Sequence, residues 1–101
     1  MTRLIMMRGL PGSGKTHYAK KLMENNKNMV RVNKDELREM LHFNTWNLVN
    51  EKMTKSAEKS IVYELLSDGI DVIVDDTNLL PSDKAGWMKV AEEMCAEFVE
   101  R

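Results

Sequence analysis

The chain has 101 residues, which is enough for one domain with a single core and excludes a multidomain enzyme within this sequence. Hydrophobic residues make up 43% and charged residues 31%, and five glycines and two prolines are too few for a disordered or collagenous chain. The net charge is −1, but residues 1–34 carry eight basic side chains against one acidic side chain, which indicates attraction for phosphate esters or nucleic acid, or else a solvated basic face.

The first third of the chain alternates between strand and helix patterns. A largely apolar run at 3–7, followed by Gly9, predicts a strand that is buried on both faces. From Lys15 the apolar residues follow helical spacing as far as the polar pair at 25–26. A second strand is expected at 29–32, so the order is strand, loop, helix, strand.

The middle of the chain predicts two helices. Residues 33–35 supply polar helix-start chemistry for a short helix that continues to Leu41. A long helix follows from about Asn47 to Asp68, and Gly69 is placed to end it. The signal for this long helix is an apolar residue at every fourth position: Val49, Met53, Ala57, Ile61 and Leu65.

The last third predicts a third buried strand at 72–74, which is followed by two acids. Pro81 and Ser82 open a last helix, in which the interior Gly86 costs about 1 kcal/mol relative to alanine. Residues 98–99 indicate the beginning of a fourth strand. The residues of the last helix that we expect to face inward are Ala85, Met88, Ala91, Met94 and Cys95.

Strands separated by helices predict a parallel α/β sheet in a three-layer sandwich, because parallel neighbours need long crossovers that helices supply. The nine methionines are interpreted as adaptable core filler rather than as metal or redox ligands. Cys95 is the only cysteine and cannot form an internal disulfide, and no apolar run suits a signal sequence or a membrane span. We therefore expect a cytoplasmic domain with no membrane partner.

A complete phosphate-loop pattern, G-x-x-x-x-G-K-[ST], lies between the first predicted strand and helix. Its glycines let the backbone curl so that N–H groups point at phosphate oxygens, and the helix start adds its positive dipole end. Lys15 can reach the β- and γ-phosphates, and Thr16 offers a hydroxyl to Mg²⁺. A glycine-rich turn that binds nothing is disfavoured, because the Lys-Thr pair is in register. The residues predicted to bind nucleotide are Gly9, Leu10, Pro11, Gly12, Ser13, Gly14, Lys15 and Thr16.

A general base for an attacking hydroxyl should stand across the carboxyl edge of the sheet from the γ-phosphate. Asp35 follows the second predicted strand and starts a helix, and Arg38 shares its face three residues later. We predict that Asp35 and Lys15 are catalytic and that Arg38 grips an acceptor phosphate. The alternative interpretation makes Asp35 a helix cap and Arg38 a surface residue.

Two acids, Asp75 and Asp76, end the third predicted strand. Side chains alternate along a strand, so these two point to opposite faces and only one can project into a given site. The sequence leaves open which of them does, and Thr77 and Asn78 extend the polar cluster at this edge.

Together, residues 9–16, residues 32–38 and the run Asp76, Thr77, Asn78 resemble the phage-type polynucleotide 5′-kinase family. The resemblance implies a P-loop kinase fold, ATP as phosphate donor with Mg²⁺, and a nucleic-acid 5′-hydroxyl as acceptor, a chemistry of nucleic-acid repair. It also implies that Asp35 is the general base, that Arg38 holds an acceptor phosphate and that Asp76 lines the active site.

The family's domain continues with a lid that contributes an arginine to the transferring phosphate, and Arg101, on a predicted strand, does not match that arginine. We therefore expect residues 1–101 to form one P-loop kinase-like domain that is truncated at its C-terminus, or that a partner chain or missing segment completes. Transfer to a small-molecule acceptor and nucleotide binding without catalysis remain as alternatives. The preference between ATP and GTP is also open.

Overall fold

The structure is a computed structural model that describes residues 1–10 and 12–101, so the predicted nucleotide-binding residue Pro11 lies outside the described residues. Strands and helices follow the predicted order closely. The elements are β1 (Arg3–Met6), α1 (Lys15–Asn25), β2 (Met29–Val32), α2 (Lys34–His42), α3 (Leu48–Ser67), β3 (Asp71–Val74), α4 (Pro81–Glu93) and β4 (Glu97–Glu100).

The strands form one parallel sheet in the order β2-β3-β1-β4. In register, Leu4 of β1 lies opposite both Val72 of β3 and Phe98 of β4. The fourth strand, of which the sequence indicated the beginning at 98–99, spans Glu97–Glu100 and pairs with β1. This arrangement confirms the predicted α/β class with a short parallel sheet.

Helices cover both faces of the sheet, which makes three layers. The buried core on the α1 side consists of Ile5, Met7, Ala19, Met29 and Ile73. The larger core on the other side, under α3 and α4, contains Leu4, Met6, Val62, Leu66, Val72, Val74, Trp87 and Val90. Because the strands are apolar on both faces, each can be buried between two helical layers. None of the helices in the described ranges combines the length and the apolar character needed to cross a membrane.

The long helix α3 buries a different column from the apolar repeat that predicted it. Val49 and Met53 of that repeat are 68% and 49% exposed. The later members of the repeat, Ile61 and Leu65, are partly buried against the core, because the repeat lies one position before the column that α3 buries, about 100° around the helix. The column that is buried is Thr54, Glu58, Val62 and Leu66.

The inward face of α4 also differs from the prediction. Of the five residues expected there, Ala91 is buried and Met94 is partly buried against the core, whereas Ala85, Met88 and Cys95 are exposed. Trp87 and Val90 take the inward positions instead. The reason is the indole of Trp87, the largest apolar group of the helix, whose burial sets the rotation of α4.

Candidate functional site

The candidate site lies where the carboxyl ends of β1, β2 and β3 meet at one edge of the sheet, as expected for ligand sites in open parallel sheets. The loop at 9–16 follows β1, residues 33–35 follow β2, and residues 75–78 follow β3. The three sequence segments that suggested the chemistry are therefore adjacent in space.

The described glycines of the phosphate loop have the positive φ angles that a curled backbone requires. Gly9 has φ 152°, and a Cβ at this position would lie 2.9 Å from Ser13 Oγ, so a side chain would collide with the loop itself. Gly12 and Gly14 have φ 83° and 87°, and α1 begins directly after Gly14, at Lys15. The Gly9 N–H donates to the Thr77 carbonyl at 3.0 Å, which ties the loop to the end of β3. The loop thus points a helix N-terminus at the site.

Asp75 is the acid that faces the phosphate loop. Its carboxylate is fully buried, accepts a 3.0 Å hydrogen bond from the Thr16 hydroxyl and another from Arg31 Nε, and lies 3.3 Å from Lys15 Nζ. Burial alone would raise the pKa of the Asp75 carboxyl, but hydrogen bonds from Arg31 and Thr16 and the charge of Lys15 outweigh it and lower that pKa below its ordinary value. Asp75 is therefore a carboxylate at neutral pH.

The Thr16–Asp75 pair fits a magnesium site of the kind in which phosphates complete the coordination. Hydroxyl and carboxylate oxygens are hard donors that suit Mg²⁺, which keeps few protein ligands of its own. Thr16 would ligate the ion and Asp75 would orient the Thr16 hydroxyl. The described residues contain no group of three or more His, Cys, Asp or Glu side chains that could hold a metal ion.

Asp76 points to the opposite side of the sheet, toward α2 and α3. Its Oδ1 accepts a 2.7 Å hydrogen bond from the backbone N–H of Lys34, the first residue of α2. The sequence left open which of the two acids projects into the site. In the structure Asp75 contacts the phosphate loop, and Asp76 contacts the helix that carries Asp35.

Asp35 lies in the first turn of α2, and its carboxylate is 70% exposed. The helix cap is Asn33, whose side chain accepts from the Glu36 N–H at 2.9 Å, so Asp35 is not needed for capping. Arg38 donates to Asp35 Oδ1 at 2.9 Å, which places the two predicted residues in contact.

Arg38 is held mainly from α3. Its Nε and Nη2 donate to the two oxygens of Glu51 at 2.8 and 3.1 Å, a bidentate pair, and Lys34 Nζ lies 3.7 Å from the same carboxylate. Hydrogen bonds from Arg38 lower the pKa of the Glu51 carboxyl, and the bonds to Glu51 raise the pKa of Arg38. Glu51 therefore fixes the direction of Arg38 beside Asp35.

A cavity of about 470 Å³ opens on the Asp76 side, between α3 and α4. We call it the α3–α4 pocket. Two of its cationic residues, Lys55 and Lys59, form no salt bridge within ranges 1–10 and 12–101. The residues that line the pocket include Lys34, Lys55, Glu58, Lys59, Asp76 and Trp87.

Asn78 is a structural residue of this edge rather than a ligand. It is 4% exposed, its Nδ2 donates to the Met7 carbonyl at 2.7 Å, and its Oδ1 accepts from Trp87 Nε1 at 3.2 Å. It also has φ 47°, a left-handed conformation that asparagine tolerates better than most residues. One amide thus joins the ends of β1 and β3 to α4.

We expect Asn78→Ala to lower the free energy of unfolding by about 2–4 kcal/mol, because the Met7 carbonyl and the Trp87 indole N–H are left buried without partners. Urea unfolding followed by tryptophan fluorescence measures this. The control Asn25→Ala, at an exposed position at the end of α1, should change stability by less than about 0.5 kcal/mol. A loss in Asn78→Ala no larger than that of the control would contradict the structural role.

Sequence reasoning did not single out three charged residues that shape the site. Arg31, Glu51 and Glu58 contact Asp75, Arg38 and Asp76 respectively. For Arg31 a signal existed, since a basic residue inside a short buried strand needs an acid nearby. For Glu51 and Glu58 the signal depends on the rotation of α3, which the apolar repeat did not reveal.

A family model described as an AAA domain (AAA_33) matches residues 4–99. An L-seryl-tRNA(Sec) kinase from Methanococcus maripaludis is 31% identical over 100 residues, covering 95% of this chain and 38% of that protein. This chain therefore spans well under half the length of that relative.

Two solved structures are similar to this chain over nearly its whole length. A chain of the Pnkp1/Rnl/Hen1 complex superposes with a TM-score of 0.90 at 27% identity, covering 99% of this chain and 34% of that one. The APS kinase CysC of Mycobacterium tuberculosis, in a complex with AMPPNP and APS, superposes with a TM-score of 0.75 at 23% identity, covering 98% of this chain and 60% of that one. The second likeness supports the fold alone.

Proposed function

Because this chain belongs to the AAA domain family of P-loop kinases, we propose that it transfers the γ-phosphate of ATP to a hydroxyl carried by a nucleic acid, with a polynucleotide 5′-hydroxyl as the preferred acceptor. The observation that carries the proposal is the contact of Asp35 with Arg38 on α2, directly after Lys34, a residue of the lysine-lined pocket. The likeness to the Pnkp1/Rnl/Hen1 chain supports it.

In this proposal the two sides of the sheet edge divide the work. The loop amides and Lys15 bind the triphosphate, and Thr16 would hold Mg²⁺, which would supply positive charge to the phosphates. Asp35 accepts the proton of the acceptor hydroxyl. At the same time the hydroxyl oxygen bonds to the γ-phosphorus, and the bond from that phosphorus to the bridging oxygen of ADP breaks. Arg38 and Asp76 orient the acceptor. Catalysis then consists mainly of positioning and electrostatics.

The α3–α4 pocket suits an anionic acceptor. Lys55 and Lys59 lie one turn apart on the same helix, and Lys34 completes a group of three cations around one opening. Phosphates of a nucleic acid next to the reacting hydroxyl are groups that such clustered lysines bind. The pocket is therefore the proposed site of the acceptor end.

A second candidate acceptor is the seryl hydroxyl of a charged tRNA. It is favoured by the 31% identical relative, which is a seryl-tRNA kinase. In both candidates a nucleic acid carries the hydroxyl, so the same cations would serve. A sulfated nucleotide is the small-molecule acceptor to compare with them, because an APS kinase shares the fold.

The test is transfer of label from γ-labelled ATP to a panel of acceptors: a 5′-hydroxyl oligonucleotide, its 5′-phosphorylated form, seryl-tRNA, and adenosine phosphosulfate. We expect label on the 5′-hydroxyl oligonucleotide and none on the blocked one. Label confined to seryl-tRNA would select the second candidate. Label on adenosine phosphosulfate alone would contradict a nucleic-acid acceptor.

The double variant Lys55→Gln/Lys59→Gln should weaken binding of the oligonucleotide and reduce the salt dependence of its affinity by about 1.4 in log–log slope, since each single-strand phosphate contact contributes about 0.7. Fluorescence anisotropy across a salt series measures this without turnover. The control Lys27→Gln/Lys89→Gln removes the same charge at exposed positions outside the pocket. Equal slopes in the two double variants would remove the pocket lysines from acceptor binding.

A further inference from the structure

One buried acid, Glu58, has no part in the reaction proposed above. It belongs to the buried column of α3, is only 3% exposed, and lines the α3–α4 pocket. Its Oε2 is buried and accepts no hydrogen bond from the described residues. Asp76 is also buried and lines the same pocket, where its carboxyl interacts with that of Glu58.

Two buried carboxylates beside each other are unfavourable when both are ionised, because their charges repel and the Glu58 Oε2 has no donor among the described residues. Burial first, and then the hydrogen bond and charge of Asp76, raise the pKa of Glu58 to about 10. Asp35 acts in the same direction, and Lys34 opposes it. A neutral Glu58 has an O–H donor, and Asp76 is the acceptor beside it.

Asp76 connects Glu58 to the proposed base, Asp35. The Asp76 carboxylate accepts from the Lys34 N–H at 2.7 Å, and Lys34 directly precedes Asp35. We propose that Glu58 is a positioning residue that keeps its proton and donates it in a hydrogen bond to Asp76, so that Asp76 holds the first turn of α2, and with it Asp35, in a fixed direction.

The other charged groups around this carboxyl favour the same state. With Glu58 neutral, the three lysines of the pocket outnumber its two remaining acids, and the pocket suits an anionic acceptor. Ionisation of Glu58 would cancel that excess and set two carboxylates against each other. The groups that face the pair from the surrounding elements are Lys34 and Asp35 on α2, Lys55 and Lys59 on α3, and Asp83 on α4.

The proton can be tested without turnover. In wild type, ¹³C-glutamate NMR and infrared spectroscopy at pH 7 should show one protonated carboxyl, which is absent in Glu58→Gln and retained in Glu64→Gln, an exposed position on the same helix. The absence of such a signal in wild type, or its persistence in Glu58→Gln, would overturn the proposal.

The pH dependence of stability gives a second test of whether Glu58 keeps its proton. The pKa of Glu58 is raised in the folded state, so its favourable contribution is present at low pH and is lost as pH rises from about 4.5 to about 10. In that pH window the free energy of unfolding of wild type should fall as pH rises. The slope for Glu58→Gln should be less steep by the amount that corresponds to one proton. Equal slopes for the two proteins would count against the proposal.

The positioning role rests on the proposed function and is read in turnover. Glu58→Gln keeps an N–H donor for Asp76, so its kcat should stay within about threefold of wild type, while any alkaline decline of kcat that is due to Glu58 disappears.

Glu58→Leu removes the donor and should lower kcat by about 10- to 100-fold with little change in ATP affinity. Wild-type kcat in Glu58→Leu would overturn the role. If Glu58→Leu does not fold, an unchanged pH profile in Glu58→Gln would overturn it. Failure of every acceptor would refute the kinase proposal and leave the spectroscopic test standing.

Discussion

Asp35→Asn is expected to lower kcat for phosphate transfer by about 10²- to 10⁴-fold, the usual contribution of a general base. The asparagine amide has nearly the same shape but cannot accept the proton of the acceptor hydroxyl. It can still accept from Arg38, so the start of α2 should keep its structure. Transfer from γ-labelled ATP to a 5′-hydroxyl oligonucleotide, measured at saturating ATP, gives the comparison.

The matched control for Asp35→Asn is Glu39→Gln. Glu39 lies on the same helix and is exposed, so the change removes one acid from α2 and leaves the proposed base intact. Both variants should bind ATP like wild type, because the phosphate loop lies on the other side of β3. If Asp35→Asn and wild type transfer phosphate at the same rate, Asp35 is not the base.

Lys15→Met is expected to lower kcat by about 10²- to 10³-fold, in the range found when a single preorganised electrostatic contact is removed from a site. Methionine keeps the apolar part of the side chain but lacks the ammonium group that would contact the β- and γ-phosphates. Asp75 keeps hydrogen bonds from Arg31 and Thr16, so the variant should still fold.

ATP binding by Lys15→Met can be measured without an acceptor. At 100 times its Kd, ATP·Mg²⁺ should stabilise wild type by about 2.7 kcal/mol, and a tenfold loss of affinity should reduce this to about 1.4 kcal/mol. Lys20→Met, at an exposed position later in α1, is the control and should behave like wild type. The same ATP-dependent stabilisation and the same kcat in Lys15→Met and Lys20→Met would exclude the assigned role of Lys15.

Much of the fold could be predicted because its signals are local. The start of α1 at Lys15, the boundaries of α3 within one residue of 47–68 and the helix-ending Gly69, with φ 79°, all follow from short-range patterns and backbone preferences. Which face each helix buries did not follow from local patterns: three of the five residues expected to face inward on α4 are exposed, and the column that α3 buries lies beside the apolar repeat that predicted the helix. Helix rotation is set by the best overall packing against the sheet, and in α4 the indole of Trp87 decided it.

The same division applies to the site. The contact between Asp35 and Arg38 follows from their spacing on a helix, and the opposite directions of Asp75 and Asp76 follow from strand alternation. The identity of each acid's neighbours could not be read from spacing, since Thr16 is 59 positions from Asp75 and Lys34 is 42 positions from Asp76.

By itself, the sequence determined the phosphate loop, the order of strands and helices and the parallel sheet, because these depend on residues near one another in the chain and on the fixed geometry of helix and strand. Only the tertiary structure decided that Glu51 holds Arg38 and that Glu58 meets Asp76. Those contacts join α3 to elements on either side of it, and they exist only at the one rotation and height at which α3 packs over the sheet.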